Sequence, residues 1–162
     1  MSGEHYLEKK KLLIVDDEPD ILETLIQLLP MCEIETASNF NDAWNMLGSK
    51  FYDLAILDIM GVDGYRLLSL ATERNITAVV LTAHAMSPED AKKSFEKGAV
   101  FYIPKEKMAD IETYLNDVLE DKEKGRAPQK RWLDQFAAFF TRTFGPGWQA
   151  KDRAFWDKDL FY

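Results

Sequence analysis

The run Asp53-Leu54-Ala55-Ile56-Leu57-Asp58 holds four consecutive apolar residues between two acids. Gly61 and Gly64 follow, so the apolar run ends in a turn. This pattern predicts a short strand buried on both faces, which is typical of a parallel sheet covered by helices on each side. In open sheets of this class the functional groups lie at the carboxyl ends of the strands. Asp58 is therefore the first candidate for chemistry.

Three further apolar runs end in polar residues. They are residues 11–15 before Asp16 and Asp17, residues 78–81 before Thr82, and residues 100–103 before Pro104 and Lys105. If these strands are parallel neighbours, three carboxylates, a hydroxyl and an ammonium meet at one edge of the sheet. Clustered carboxylates raise one another's pKa unless a cation neutralises them, and an all-oxygen cluster suits Mg²⁺. The lysine and the hydroxyl suit a phosphoryl group on Asp58, which needs charge neutralisation and a hydrogen bond.

The segments between these runs predict helices. Asn39 and Asp63 stand where N-caps are expected, and Ser87-Pro88-Glu89-Asp90 combines an N-cap, an early proline and an acid at the third helical position. Residues 32–37 alternate like a half-exposed strand, and residues 106–120 predict a last helix. The chain therefore predicts a three-layer α/β fold, a doubly wound parallel sheet with strand order 2-1-3-4-5.

One set of residues carries a family resemblance. In order along the chain, and each at a predicted strand end, it consists of Asp16, Asp17, Asp58, Thr82 and Lys105. This set resembles the receiver, or phosphoacceptor, domain of two-component response regulators over residues 10–121. The resemblance implies the flavodoxin-like (βα)5 fold and a signalling domain rather than an enzyme. It also implies a phosphoryl donor, either a sensor histidine kinase or a phosphotransfer protein, and a downstream protein target.

The resemblance assigns a role to each site residue. Asp58 would be the phosphoacceptor, and Lys105 would neutralise charge on the transferring group. The cofactor would be Mg²⁺, held directly by Asp17 and mainly through water by Asp16. Asp58 and the backbone carbonyl of Met60 would complete the metal site.

The resemblance also implies a switch made of two residues. Thr82 would move to hydrogen-bond the phosphoryl group, and Tyr102 matches the aromatic residue that swings inward with it. His84, two residues after Thr82, could tune hydrolysis of the phosphoryl group, or it could be an ordinary solvated loop histidine.

Two departures from the family pattern are visible. The loop from Asp58 to Gly64 is two residues shorter than usual and lacks a proline, and we expect Gly61 to allow the tighter turn by adopting a positive φ. Lys105 precedes Glu106 where the family has a proline, which favours a trans peptide bond at that point. The short loop supports an alternative hypothesis, a degenerate receiver that accepts no phosphate and acts as a constitutive docking or dimerisation module. An aspartyl-phosphate phosphatase fits poorly, because Met60 stands where its second Asp is needed.

The C-terminal segment is the unusual part of the chain. Residues 122–128 predict a charged linker, and residues 129–162, which we call the aromatic tail, predict an amphipathic helical extension. Residues 122–162 carry a net charge of +4 against −12 for residues 1–121. So much aromatic surface predicts an interaction. The tail could pack on its own receiver, pair with a second copy through itself or through the last helix and strand, or dock on another protein; we expect neither DNA nor a membrane as its partner.

Composition is consistent with this interpretation. The chain has 162 residues, a net charge of −8 and a single cysteine, Cys32, so no intramolecular disulfide can form. Residues 1–9 are polar and predict a frayed leader. No apolar run reaches the length of a membrane span, and we expect a cytoplasmic protein.

Overall fold

The computed structural model describes residues 5–83, 87–158 and 161. Its centre is one five-stranded parallel sheet with the order β2-β1-β3-β4-β5. The strands are β1 (Lys11–Val15), β2 (Glu33–Ala37), β3 (Leu54–Asp58), β4 (Ala78–Thr82) and β5 (Phe101–Pro104). Helices cover both faces of the sheet, so the predicted doubly wound fold and its strand order are confirmed.

Seven α-helices surround the sheet in the described part of the chain. They are α1 (Pro19–Leu28), α2 (Phe40–Ser49), α3 (Gly64–Glu73), α4 (Pro88–Glu96), α5 (Ile111–Glu123), α6 (Pro128–Phe144) and α7 (Arg153–Trp156). Two 3-10 segments, Lys105–Asp110 and Ala150–Asp152, precede α5 and α7. The last predicted helix therefore begins as a 3-10 segment and continues three residues further than expected. Among the described residues, none of these helices has both the length and the apolar character that crossing a bilayer requires.

Local capping explains where two of the helices begin. The side-chain oxygen of Asn39 accepts a hydrogen bond from the backbone N–H of Asp42 at 2.9 Å. At the start of α4, Ser87 and Asp90 exchange hydrogen bonds in a capping box, each side chain accepting from the other residue's backbone N–H at 3.2 Å. Both caps agree with the sequence analysis.

The strand register decides which side chains meet at the carboxyl edge of the sheet. Val15 pairs with Leu57, so the residues that follow them, Asp16 and Asp58, lie side by side. Thr82 pairs with Pro104, which places Lys105 just beyond the end of β4. The strands β3 and β4 are buried along their whole length, as their apolar runs predict.

The loop after Asp58 differs from the prediction. Gly61 does not adopt a positive φ; Asp63 does, at 55°. The absence of a side chain at Gly61 serves another purpose, because a Cβ there would lie 2.3 Å from Oδ1 of Asp17. Asp63 occupies the N-cap position of α3 but makes no capping hydrogen bond, and its carboxylate lies 3.4 Å from Arg66 instead.

The aromatic tail lies against the receiver of its own chain. Trp132 and Phe136 of α6 are buried against β5 and α5, and Trp156 of α7 contacts Phe95 of α4. Gly125, with a φ of 70°, lies in the short connection between α5 and α6. The domain boundary at residue 121 and the linker 122–128 stay predictions; residues 159, 160 and 162 of the tail lie outside the described residues, as do residues 1–4 of the leader.

Candidate functional site

Asp58 is the last residue of β3 and is almost fully buried, with 4% of its surface exposed. The backbone N–H of Gly61 donates a hydrogen bond to its Oδ2 at 3.3 Å. Burial raises the pKa of Asp58, and the neighbouring carboxylate of Asp16 raises it further, while Lys105 lowers it. The carboxylate at the centre of the site is thus held in surroundings that disfavour its charge.

Asp16, directly after β1, is the second buried acid, with 1% of its surface exposed. Its Oδ1 accepts the backbone N–H of Glu18 at 2.9 Å, and its Oδ2 lies 2.9 Å from Nζ of Lys105. Burial raises the pKa of Asp16, and the two hydrogen bonds oppose that effect only in part. Asp16 and Asp58 therefore form a pair of carboxylates that one ammonium does not fully neutralise.

Lys105 supplies the positive charge. Its side chain is 10% exposed and contacts both Asp16 and Glu18 at 2.9 Å. Burial alone would lower the pKa of Lys105, but the hydrogen bonds to Asp16 and Glu18 and the charge of Asp58 raise it. The lysine is therefore favoured in its charged form, bound to two acids and within electrostatic range of Asp58.

The acids after β1 could hold a cation. One carboxylate oxygen from each of Asp16, Asp17 and Glu18 lies within 4.8 Å of the other two. All the donors are oxygens, which fits Mg²⁺, and the raised pKa values of Asp16 and Asp58 indicate negative charge that a cation would relieve.

The predicted metal ligands do not all fall in this group. Asp58 lies outside the group of three, at the neighbouring strand end, and Met60 lies in the turn that follows it. Glu18 was not predicted as a ligand. The signal that could have identified it is the unbroken acidic run from Asp16 to Glu18.

The two predicted switch residues lie on adjacent strands. Thr82 is fully buried at the end of β4, and Tyr102 is 1% exposed on β5. No described residue offers a hydrogen bond to the hydroxyl of Tyr102, and burial raises the pKa of this phenol. Its ring lies edge-on to Trp132 and Phe140 of α6, with centroids 6.4 and 6.3 Å away. His84 lies outside the described residues.

Sequence reasoning missed how the aromatic tail reaches this site. The indole N–H of Trp132 donates to the backbone carbonyl of Tyr102 at 2.7 Å. Arg131 and Arg126 both bind Asp121, a buried acid that the sequence analysis used only as a boundary. The available signal was the position of Asp121, three residues after Val118 on the apolar spacing of the helix, with two arginines following it.

Comparison with known proteins agrees with this geometry. Residues 12–116 match the model of the response regulator receiver domain. A CheY-like response regulator receiver domain protein from Methanospirillum hungatei JF-1 is 30% identical, with a TM-score of 0.66 over 73% of this chain and 99% of that chain.

Two curated relatives show the same likeness over part of their length. Response regulator GtcR from Aneurinibacillus migulanus is 38% identical over 79 residues, covering 46% of this chain and 33% of that protein. Response regulator Rre1 from Synechocystis sp. is 32% identical over 107 residues, covering 60% of this chain and 46% of that protein. The chain thus spans less than half the length of either relative. The family match, the fold and the acidic pocket at the strand ends lead to one conclusion: this chain belongs to the response regulator receiver domains, the signalling domains of two-component systems.

Proposed function

We propose that the chain accepts a phosphoryl group on Asp58 from a sensor histidine kinase or a phosphotransfer protein, in a reaction that requires Mg²⁺. The phosphorylated chain then signals through contact with a downstream protein. The observation that carries this proposal is the position of Asp58. Its carboxylate lies buried beside a second acid, within electrostatic range of Lys105, and three acids that could hold a cation lie at the adjacent strand end.

The chemistry assigned to Asp58 is nucleophilic. A carboxylate oxygen of Asp58 forms a bond to the phosphorus of a phosphohistidine, the phosphorus–nitrogen bond breaks, and the histidine nitrogen leaves with its electron pair and takes up a proton. Phosphoryl transfer depends mainly on positioning and on the stabilisation of charge. Asp58 meets the first need because it is the fixed end of a fully buried strand.

Lys105, together with a cation held by the nearby acids, would stabilise the charge on the phosphoryl group. Asp16 and Asp17, with Asp58 and the carbonyl of Met60, would hold Mg²⁺, which supplies positive charge to the phosphoryl oxygens when bound. Glu18 lies close enough to Asp16 and Asp17 to hold the ion or a water bound to it. Lys105 would exchange its contacts with Asp16 and Glu18 for a phosphoryl oxygen.

Thr82 and Tyr102 would report the modification. A phosphoryl group adds a charge of about −1.5 to −2, and the Thr82 hydroxyl at the end of β4 would donate a hydrogen bond to it. Because Thr82 is paired with Pro104, a movement of Thr82 would also displace β5, the strand that carries Tyr102. We do not favour the alternative of an unphosphorylated docking module, because Asp16, Asp58 and Lys105 lie together in spite of the short loop.

The proposal is tested by the mass of the intact protein after incubation with a small acyl phosphate and Mg²⁺. We expect the wild-type protein to gain the mass of one phosphoryl group and Asp58→Asn to gain none. Asp53→Asn, a change just before the opposite end of β3, is the matched control and should be modified like the wild type. A wild-type protein that gains no mass and does not bind beryllofluoride, a phosphoryl mimic, would contradict the proposal.

A further inference from the structure

The face built by α4, β5 and α5 is covered by the aromatic tail of the same chain. Trp132 is fully buried at the centre of this contact. Its ring lies edge-on to Phe95 of α4, with centroids 4.8 Å apart, and its indole N–H donates to the Tyr102 carbonyl on β5 at 2.7 Å. This bond ties α6 directly to the backbone of β5, the strand at the edge of the sheet.

The tail contributes many buried aromatic side chains to this contact. Those exposed by no more than 9% are Trp132, Phe136, Phe139, Phe140, Trp148, Phe155, Trp156 and Phe161. Their receiver partners include Phe95 of α4, Phe101 of β5 and Tyr114 of α5. The tail therefore shares one continuous apolar core with the receiver.

Charged groups close the two sides of the contact. Arg131 of α6 lies 2.8 Å from Oδ1 of Asp121, whose side chain is only 4% exposed, and Arg126 lies 3.0 Å from the same atom. On the other side, Lys92 of α4 pairs with Asp152 of the tail. A tail that left the receiver would also break the ion pair between Arg131 and Asp121.

Whether phosphorylation could detach the tail depends on how strongly the docked state is favoured. Burial of each large apolar side chain favours the docked state by roughly tenfold or more. Five of the eight contact rings of the receiver, namely Trp132, Phe136, Phe140, Trp156 and Phe161, so releasing the tail as an intact arm would be disfavoured by roughly 10⁵-fold or more. Coupling between two sites in a protein typically changes an equilibrium by about 5- to 150-fold, which is far too little to release this tail.

We propose that the aromatic tail is a permanent part of the receiver's folded core. It closes the α4–β5–α5 face to every other molecule, whether or not Asp58 is phosphorylated. The occupant of this face is residues 128–158 and 161 of the same chain, so partners of the receiver must bind elsewhere on its surface. The statement about the phosphorylated state rests on the proposed function, whereas the statement about the unmodified chain does not.

Hydrogen exchange of the full chain, read by mass spectrometry, tests the proposal. We expect peptides from α6 to exchange as slowly as peptides from β4, because the two elements would open only when the whole protein unfolds. Beryllofluoride with Mg²⁺ should slow exchange in α6 and β4 by the same factor, because a ligand that binds only the folded protein suppresses the unfolding that exposes both elements. Exchange in α6 that is orders of magnitude faster than in β4, or loss of α6 protection on adding beryllofluoride, would overturn the proposal.

The two proposals fail in different ways. If beryllofluoride does not bind, the phosphoacceptor function fails, while the comparison of α6 with β4 in the unmodified protein still decides the role of the tail. Trp132→Ala provides a second test: we expect α6 and β4 to lose protection together. Loss of protection in α6 alone would show that the tail opens independently of the receiver. Thr143→Ala, a change on the exposed side of α6, is the control and should leave the protection of α6 and β4 unchanged. If Trp132→Ala does not fold, the comparison of α6 with β4 in the wild-type protein decides the role of the tail.

Discussion

Nζ of Lys105 lies 2.9 Å from Oδ2 of Asp16, so the cation that follows β5 is bound to the first acid that follows β1. The contact spans the carboxyl edge of the sheet across β3 and β4, and Asp58 lies in its electrostatic reach. A phosphoryl group on Asp58 must therefore compete with Asp16 and Glu18 for the lysine.

Lys105→Gln should weaken the site and the fold together. Loss of the Lys105 ammonium leaves Asp16 buried without its cation, which should lower the free energy of unfolding by about 1–3 kcal/mol at pH 7. We expect phosphorylation by an acyl phosphate to slow severely, because Lys105 neutralises charge on the transferring group. Urea unfolding and the rate of mass gain measure the two effects. Lys97→Gln, at an exposed lysine, is the control, and equal behaviour of the two variants would refute the assigned role.

Asp58→Asn should stabilise the unmodified protein. Since burial raises the pKa of Asp58 in the fold, the charged carboxylate destabilises the folded state above that pKa. This penalty disappears as the pH falls below the pKa of the unfolded chain, where the carboxyl is protonated in both states. The variant should therefore melt a few degrees above the wild type at pH 7, and the gap should shrink on acidification. A variant that melts at the same temperature as the wild type, or a difference in melting temperature that does not change with pH, would contradict a buried charge at Asp58.

Gly61→Ala should weaken Mg²⁺ binding. The backbone of Gly61 accepts alanine, because its φ is not positive, but the new Cβ would lie 2.3 Å from Oδ1 of Asp17. Either the carboxylate or the loop must move, and we expect roughly a 10- to 100-fold loss of Mg²⁺ affinity by titration calorimetry. Gly48→Ala is the matched control, since nothing lies within 4 Å of its added Cβ. Unchanged affinity in Gly61→Ala would show that Asp17 is not a ligand.

Arg131→Met should loosen the contact between α5 and α6. Asp121 would keep Arg126 but lose its closest cation, at a cost of about 1–3 kcal/mol in the free energy of unfolding. Arg142→Met, on the exposed side of the same helix, should cost much less. Adding Asp121→Asn to Arg131→Met should recover part of the loss, because the buried charge is removed with its partner. A double variant less stable than Arg131→Met would argue against a buried ion pair.

Much of the site follows from the sequence because strand ends are local features. The apolar runs before Asp16, Asp58, Thr82 and Lys105 fix where each strand stops. Parallel pairing then brings the four strand ends to one edge. The caps at Asn39 and Ser87 were predictable for the same reason, since a cap is a matter of neighbouring residues.

The features that the sequence does not predict depend on tertiary packing. Nothing in the spacing of Gly61 and Asp63 shows that Asp63 takes the positive φ, or that a Cβ at Gly61 would collide with the carboxylate of Asp17. The amphipathic pattern of α6 shows that one face is buried but not against which surface. The hydrogen bond from Trp132 to Tyr102 and the burial of Asp121 appear only once that surface is known.

Asp58 is the residue that we propose to carry the phosphoryl group. To test this, the protein is treated with an acyl phosphate and Mg²⁺, the acyl phosphate is reduced with borohydride, and the peptides are mapped. Reduction converts a phosphorylated aspartate to homoserine, so the modified residue is read from the fragment masses. We predict homoserine at position 58 alone, and none when Mg²⁺ is removed with a chelator. Homoserine at position 16 or 17, or at no position, would contradict the account.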